Sequence, residues 1–196
     1  MNKKRYSGFI IGGVLVVLGI FGVVTFNSLV KKEEKVKLQW NEVQNAYQRR
    51  LDLIPNLVNT VKGAADFEQT TLQKVVEARA KAHSFVVNPN SPSAAEYQQQ
   101  TKLQDELATA ANNLVITIER YPTLQGTSAF AGLQTQLEGT ERRIKVARTD
   151  FNAAIADYNS SVRSFPTKLV AGIFGFKAKE GFTADEGTDR SKEIKF

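Results

Sequence analysis

Residues 36–61 read VKLQWNEVQNAYQRRLDLIPNLVNTV, and how this stretch folds decides the architecture. Its apolar side chains Val36, Trp40, Val43, Tyr47, Ile54, Leu57 or Val58, and Val61 follow the three-and-four spacing that lines one face of an α-helix. The pattern runs on through Ala65, Leu72, Val75 and Val76 to Ala82. Pro55 interrupts it, because proline lacks the N–H of the helical ladder and pushes Ile54 away from the α region. Asp52 can cap a new helix, and Arg49 and Arg50 suit the negative end of a preceding one. A single helix over residues 36–85 would be ~75 Å long against ~42 Å for the next, leaving half of its apolar face bare. The expectation is therefore a sharp break near Leu51 to Pro55. The alternative is a long kinked first helix, giving three helices, whose bare face pairs with other copies.

Further along, Asn88-Pro89-Asn90-Ser91-Pro92-Ser93 cannot continue a helix, and Ser93 with Glu96 three residues on forms a capping box for the next. That helix carries Tyr97, Leu103, Leu107, Ala111, Leu114, Ile118 and Tyr121, and ends at Pro122 with Gly126 beyond. The last long helix is the most regular. Phe130, Leu133, Leu137, Ile144, Ala147, Phe151, Ala154 or Ile155, Tyr158, Val162 and Phe165 sustain heptad spacing. No strand-like alternation appears between Val36 and Phe165. These patterns predict an all-α chain with an antiparallel up-and-down bundle of four helices, at about residues 28–51, 55–86, 93–121 and 128–164.

Before the bundle, Ser7 to Val30 contains no charged residue and is almost wholly apolar from Phe9 to Val24. Twenty-four residues at ~1.5 Å each exceed a ~30 Å hydrocarbon core. A retained N-terminal transmembrane helix is favoured over a cleaved signal peptide, whose apolar region is typically ~7–15 residues and is followed by a small-residue cleavage site. Gly8, Gly12 and Gly19 permit close helix pairing in the bilayer. The anchor also explains the charge. Of 26 Lys and Arg, three precede residue 30, where none of the 20 Asp and Glu lies, so 23 bases face 20 acids on the remainder. That mixed surface lacks the one-sided basic stripe of a nucleic-acid binder. Lys3, Lys4 and Arg5 on a very short flank favour a cytoplasmic N-terminus and an exported domain, in a single-pass membrane protein.

The chain has no cysteine and one histidine, His83, read as a solvent-facing residue near a helix end. Thiolate zinc sites, disulfides and cysteine nucleophiles are excluded, and so is the paired Glu-x-x-His set of di-iron bundles. No Gly-rich phosphate loop or Gly-x-Ser-x-Gly turn is present. The expectation is no enzyme, no catalytic or metal-binding residues and no cofactor.

Arg49-Arg50-Leu51-Asp52-Leu53-Ile54-Pro55-Asn56-Leu57-Val58, followed by Thr60-Val61-Lys62-Gly63, closely resembles the LemA family of bacterial membrane-anchored proteins. The resemblance continues through Glu77-Ala78-Arg79-Ala80, Tyr121-Pro122-x-Leu124, Leu137-Glu138-Gly139-Thr140-Glu141-Arg142-Arg143-Ile144, Ala147-Arg148, Asp157-Tyr158-Asn159, Phe165-Pro166 and Ala171-Gly172-Ile173-Phe174-Gly175-Phe176. It implies one N-terminal span and a helical-bundle domain, with no established molecular function. Arg142 stands where the family usually has Asn, Phe151 where Tyr is frequent, and Ala64 where Tyr is commoner.

Two groups of residues are candidates for function. Arg49, Arg50, Asp52, Asn56, Glu138, Glu141, Arg148 and Asn159 are polar motif residues of unknown role. Arg49-Arg50 could bind an anion, but a salt bridge to another helix is the better reading. Glu138 with Arg142 and Glu141 with Lys145, each at i,i+4, read as a mutually paired face. The second group is Phe165, Leu169, Val170, Ile173, Phe174 and Phe176, an apolar stretch bracketed by Lys168 and Lys177. It either folds back as a plug on the bundle or meets the bilayer or a partner. The expected organisation is an anchor over 1–30 that contacts lipid through 7–30, a bundle over 31–168, an apolar segment over 169–182 and a charged tail over 183–196. The expected function is a membrane-anchored scaffold or adaptor of the cell envelope that binds a protein, a membrane surface or further copies of itself. The alternatives are a membrane-associated enzyme or metal-dependent regulator using helix-borne carboxylates, and an oligomeric membrane-remodelling protein.

Overall fold

The computed structural model describes residues 3–62, 68–85, 87, 93–121 and 127–182. Among them lie five helices and no strand: α1 Lys3–Val61, α2 Gln69–Ser84, α3 Ala94–Ile118, α4 Ser128–Arg163 and α5 Thr167–Phe174. The all-α expectation and the capping box of α3 both hold. Ser93 Oγ accepts from the Glu96 N–H at 3.2 Å, and the Ser93 N–H donates to Glu96 Oε2 at 2.8 Å. The turn at residues 88–92, Ala65, the Pro122–Gly126 turn and the tail over 183–196 lie outside the described residues.

The expected break at Leu51–Pro55 is absent, and α1 runs through Pro55 to Val61. Proline in a helix interior costs about 3 kcal/mol. Against that, Leu51, Leu53, Ile54, Leu57 and Val58 are all buried in one core cluster on both sides of it. Each such side chain contributes about 1.5–3 kcal/mol, so packing wins. The Leu51 carbonyl that Pro55 cannot bond is also served, because Arg79 Nε of α2 donates to it at 3.0 Å. The chain leaves the helix beyond Val61, ahead of Gly63. The expected helix over 55–86 is thus divided between the end of α1 and a separate α2. Asp52 is no cap: inside α1 its carboxylate accepts from Gln48 Nε2 at 2.7 Å. Arg49 and Arg50 likewise sit within the helix, away from any terminus.

The chain divides into two compact units. One contains α1 up to Asn41 and the segment from Asp150 to Lys179, including α5. In it α1 and α4 run antiparallel, with Lys32 Nζ 2.6 Å from Asp157 Oδ1 and the Trp40 and Phe151 rings 5.3 Å apart. Leu29, Val36, Tyr158 and Val162 are buried there, and Phe151, at the family's frequent Tyr position, is wholly buried. The other unit takes α1 from Glu42, α2, α3 and α4 up to Thr149. In it α1 and α3 run in the same direction, since Gln44 meets Gln100 and Arg50 meets Gln104. Its core joins Ile54, Leu57 and Val61 to Val75, Leu107, Leu114 and Phe130. Two expected core residues are corrected: Val76 is exposed on α2, and Phe165 lies beyond the end of α4 and is 83% exposed.

Candidate functional site

Among the described residues one helix, α1, is long and apolar enough to cross a membrane. Its side chains from Phe9 to Val24 are exposed almost throughout, while Thr25 and Leu29 are buried. The change coincides with α5. The Phe174 and Phe176 rings lie 4.8 and 5.6 Å from Phe26. Gly175 caps α5 in the left-handed conformation (φ 77°), and the Phe176 N–H then bonds the Ala171 carbonyl at 2.9 Å, turning the chain back toward Phe26. Of the six apolar candidates, Phe165, Leu169, Ile173 and Phe174 are exposed. Val170 is buried and Phe176 half-buried, so neither forms part of an open face. Part of this segment is therefore covered, and part remains exposed.

Beyond α5 the chain is held by side chains of the first unit. The Asn159 amide both donates to the Lys179 carbonyl and accepts from the Lys179 N–H, each at 2.8 Å. Lys179 Nζ pairs with Glu33 at 2.9 Å and lies 5.6 Å from the Tyr158 ring centre. Burial, with Glu33 adding to it, pushes the Tyr158 hydroxyl up to about 12. Burial likewise raises Tyr97, beside Glu96, and Tyr47, where Arg148 and Arg50 oppose it. The contribution of these raised tyrosines to folding stability is therefore complete below pH ~10, the ordinary tyrosine value, and is lost as pH rises from there through 12. Thermal midpoints of detergent-solubilised chain at stepped pH should fall steeply above 10, and Tyr158→Phe should flatten the fall.

The second unit holds a buried polar layer. Gln44 and Gln100 exchange two amide hydrogen bonds of 3.1 Å. Arg50, 2% exposed, donates to the Gln104 carbonyl and Oε1 at 2.8 and 3.1 Å and to Glu141 Oε2 at 2.5 Å. Among the described residues, Arg50 Nε is buried without a hydrogen-bond partner. Arg49 donates to Gln136 at 3.1 Å, and Arg148 stands over the Phe182 ring at 4.8 Å. The interhelical salt bridge expected of Arg49-Arg50 is thus made by Arg50. The expected pairing of Glu141 with Lys145 is replaced by Arg50, and Glu138 accepts from Gln134 at 3.4 Å. The Asn56 carbonyl accepts from Thr60 Oγ1, and its side chain is exposed, as is His83.

The sequence reading missed Gln100 and Gln104. They complete the series Tyr97, Gln100, Gln104, Leu107, Ala111, Leu114, Ile118 at three-and-four spacing, and polar residues at seam positions were the available signal. Side chains of α2 and α3, including Lys74, Glu77, Lys81, Lys102, Asp105 and Glu106, line an open groove of about 1090 Å³. No group of three or more His, Asp and Glu among the described residues is placed to hold a metal ion.

Comparison with known proteins shows the family. Magnetosome protein MamQ 2 of Paramagnetospirillum magneticum is 26% identical over 193 residues, covering 86% of this chain and 71% of its own. Protein LemA of Metamycoplasma hominis is 24% identical over 160 residues, covering 80% of this chain and 69% of its own. The LemA family model matches residues 39–196, the part of the chain that holds the buried Arg50–Glu141 layer, the Asn159 clamp and α5, and the chain belongs to the LemA family.

Proposed function

We propose that the chain is a single-pass scaffold or adaptor of the bacterial plasma membrane. Residues 1–30 anchor it, the bundle over 31–168 is exported and acts by binding a protein partner or further copies of itself, and residues 169–196 form an apolar segment and a charged tail. The observation that carries this reading is the continuity of α1. One helix supplies both the exposed apolar span and, from Glu42 to Val61, core residues of the second unit. Polar motif residues are engaged in holding helices together, as Arg50 and Glu141 are, which supports a binding framework over a reaction centre. In-cell crosslinking of the tagged full-length chain, read by mass spectrometry, tests it through the exposed Lys74, Lys81 and Lys102 of the groove. A recurrent protein neighbour, or a detergent-extracted particle larger than one copy, is the expected result. A monomer that crosslinks to no protein overturns the scaffold reading, and stoichiometric bound metal in the purified chain would favour a metal-dependent regulator.

A further inference from the structure

We infer that α5 is a second membrane contact, a short helix that lies in the bilayer interface beside the span and meets anionic headgroups through exposed cations of the same unit. Exposure gives the first argument. Phe165, Leu169 and Ile173 are 83%, 61% and 79% exposed, and with Phe174 they form an apolar face on the same unit as the exposed span. Isolated exposed apolar residues are ordinary, but a contiguous set rimmed by basic residues marks an interface.

Depth gives the second. About 20 residues of helix cross a ~30 Å hydrocarbon core, so a core entered at Ser7 is left near Phe26. Phe26 is the residue against which Phe174 and Phe176 pack, which puts α5 at the edge of the core. Lys31, five residues past Phe26, lies ~7.5 Å further along, at the depth of the headgroups.

Charge gives the third. In this unit Lys32, Lys37 and Lys179 are consumed by Asp157, Glu34 and Glu33. Lys31, Lys35, Arg163, Lys168 and Lys177 are exposed and form none of the ion pairs found among the described residues. Five such cations therefore lie on this unit, with Lys168 on α5 and Lys177 just beyond it, which suits an interfacial helix on an anionic surface.

The inference rests on residues 7–26 spanning a bilayer and is independent of any protein partner. The chain lacks cysteine, so a single introduced thiol carries a nitroxide label without background. Full-length chains labelled at Ile173→Cys, at Val17→Cys in the span and at Val146→Cys, exposed in the second unit, are reconstituted in phosphatidylglycerol-rich and in pure phosphatidylcholine vesicles. Relaxation by oxygen and by a water-soluble nickel complex reports lipid and water contact. The label at 173 should behave as the span label does in anionic vesicles, and the label at 146 as a water-exposed one. Lys168→Gln with Lys177→Gln should lower the immersed-to-lifted ratio in anionic vesicles by about fivefold per cation removed. A label at 173 reached by nickel in both lipids, or shielded from both relaxants by protein, overturns the membrane contact. Equal immersion in both lipids overturns the role of the cations. A water-exposed label at 17 instead overturns the span, and none of these outcomes bears on whether a protein neighbour is crosslinked.

Discussion

Glu141→Ala is expected to lower the unfolding free energy of the detergent-solubilised chain by about 3 kcal/mol, a large share of the ~5–15 kcal/mol that holds a domain together. The size follows from what is left behind. Arg50 is 2% exposed, its Nε already has no partner, and the Gln104 carbonyl and amide are neutral acceptors. Without the Glu141 carboxylate, a full positive charge remains buried. The Glu141 side chain is 41% exposed, so water can enter from that edge, which keeps the loss at the lower end of the 3–5 kcal/mol typical of a broken buried pair. Replacing the group as a set, Arg50→Met with Gln104→Leu and Glu141→Gln, should return stability to within about 1 kcal/mol of the parent, since apolar packing substitutes for a buried ion pair at little cost. Urea titration followed by helical circular dichroism reads both. A loss under about 0.5 kcal/mol for Glu141→Ala, the range of ordinary surface substitutions, would mean that the pair is solvated.

The second large effect concerns Pro55. Arg79→Met should cost about 1–3 kcal/mol, because the Leu51 carbonyl then has neither its helical donor nor the guanidinium. In a Pro55→Ala background the residue-55 N–H reaches that carbonyl, and the same Arg79→Met change should cost at least about 1 kcal/mol less. Pro55→Ala alone should stabilise, by up to the ~3 kcal/mol helix penalty of an interior proline. Additive losses in the double mutant would show that Arg79 acts elsewhere and would falsify the account of why α1 does not break.

The contrast between Pro55 and the heptad seams explains how far sequence reasoning reaches. The seams of α3 and α4 are periodic over many turns, and Leu107, Leu114, Leu137, Ile144 and Phe151 are buried where the spacing puts them. A proline is a local signal whose outcome depends on packing from elsewhere in the chain. Here Arg79, 28 residues from Leu51, supplies the missing donor. The polar motif residues divide in the same way. Asp52 finds its partner one turn away, whereas Asn159 clamps a backbone 20 residues on and Arg50 meets a carboxylate 91 residues on, which no local spacing encodes. Of the apolar segment, composition left a plug and an interface both open, and which of its residues face outward depended on the turn at Gly175.

The buried arginine has one more consequence. Helices with repeating apolar seams are nearly indifferent to sliding past one another by a whole heptad, because each apolar side chain finds another in the new alignment. Arg50 removes that degeneracy. Shifted by seven residues along α4 it would face Gln134 in one direction, which offers no charge, and Arg148 in the other, which repels it. Only the alignment with Glu141 closes the pair, so a single polar contact gives the register of two long helices a unique solution.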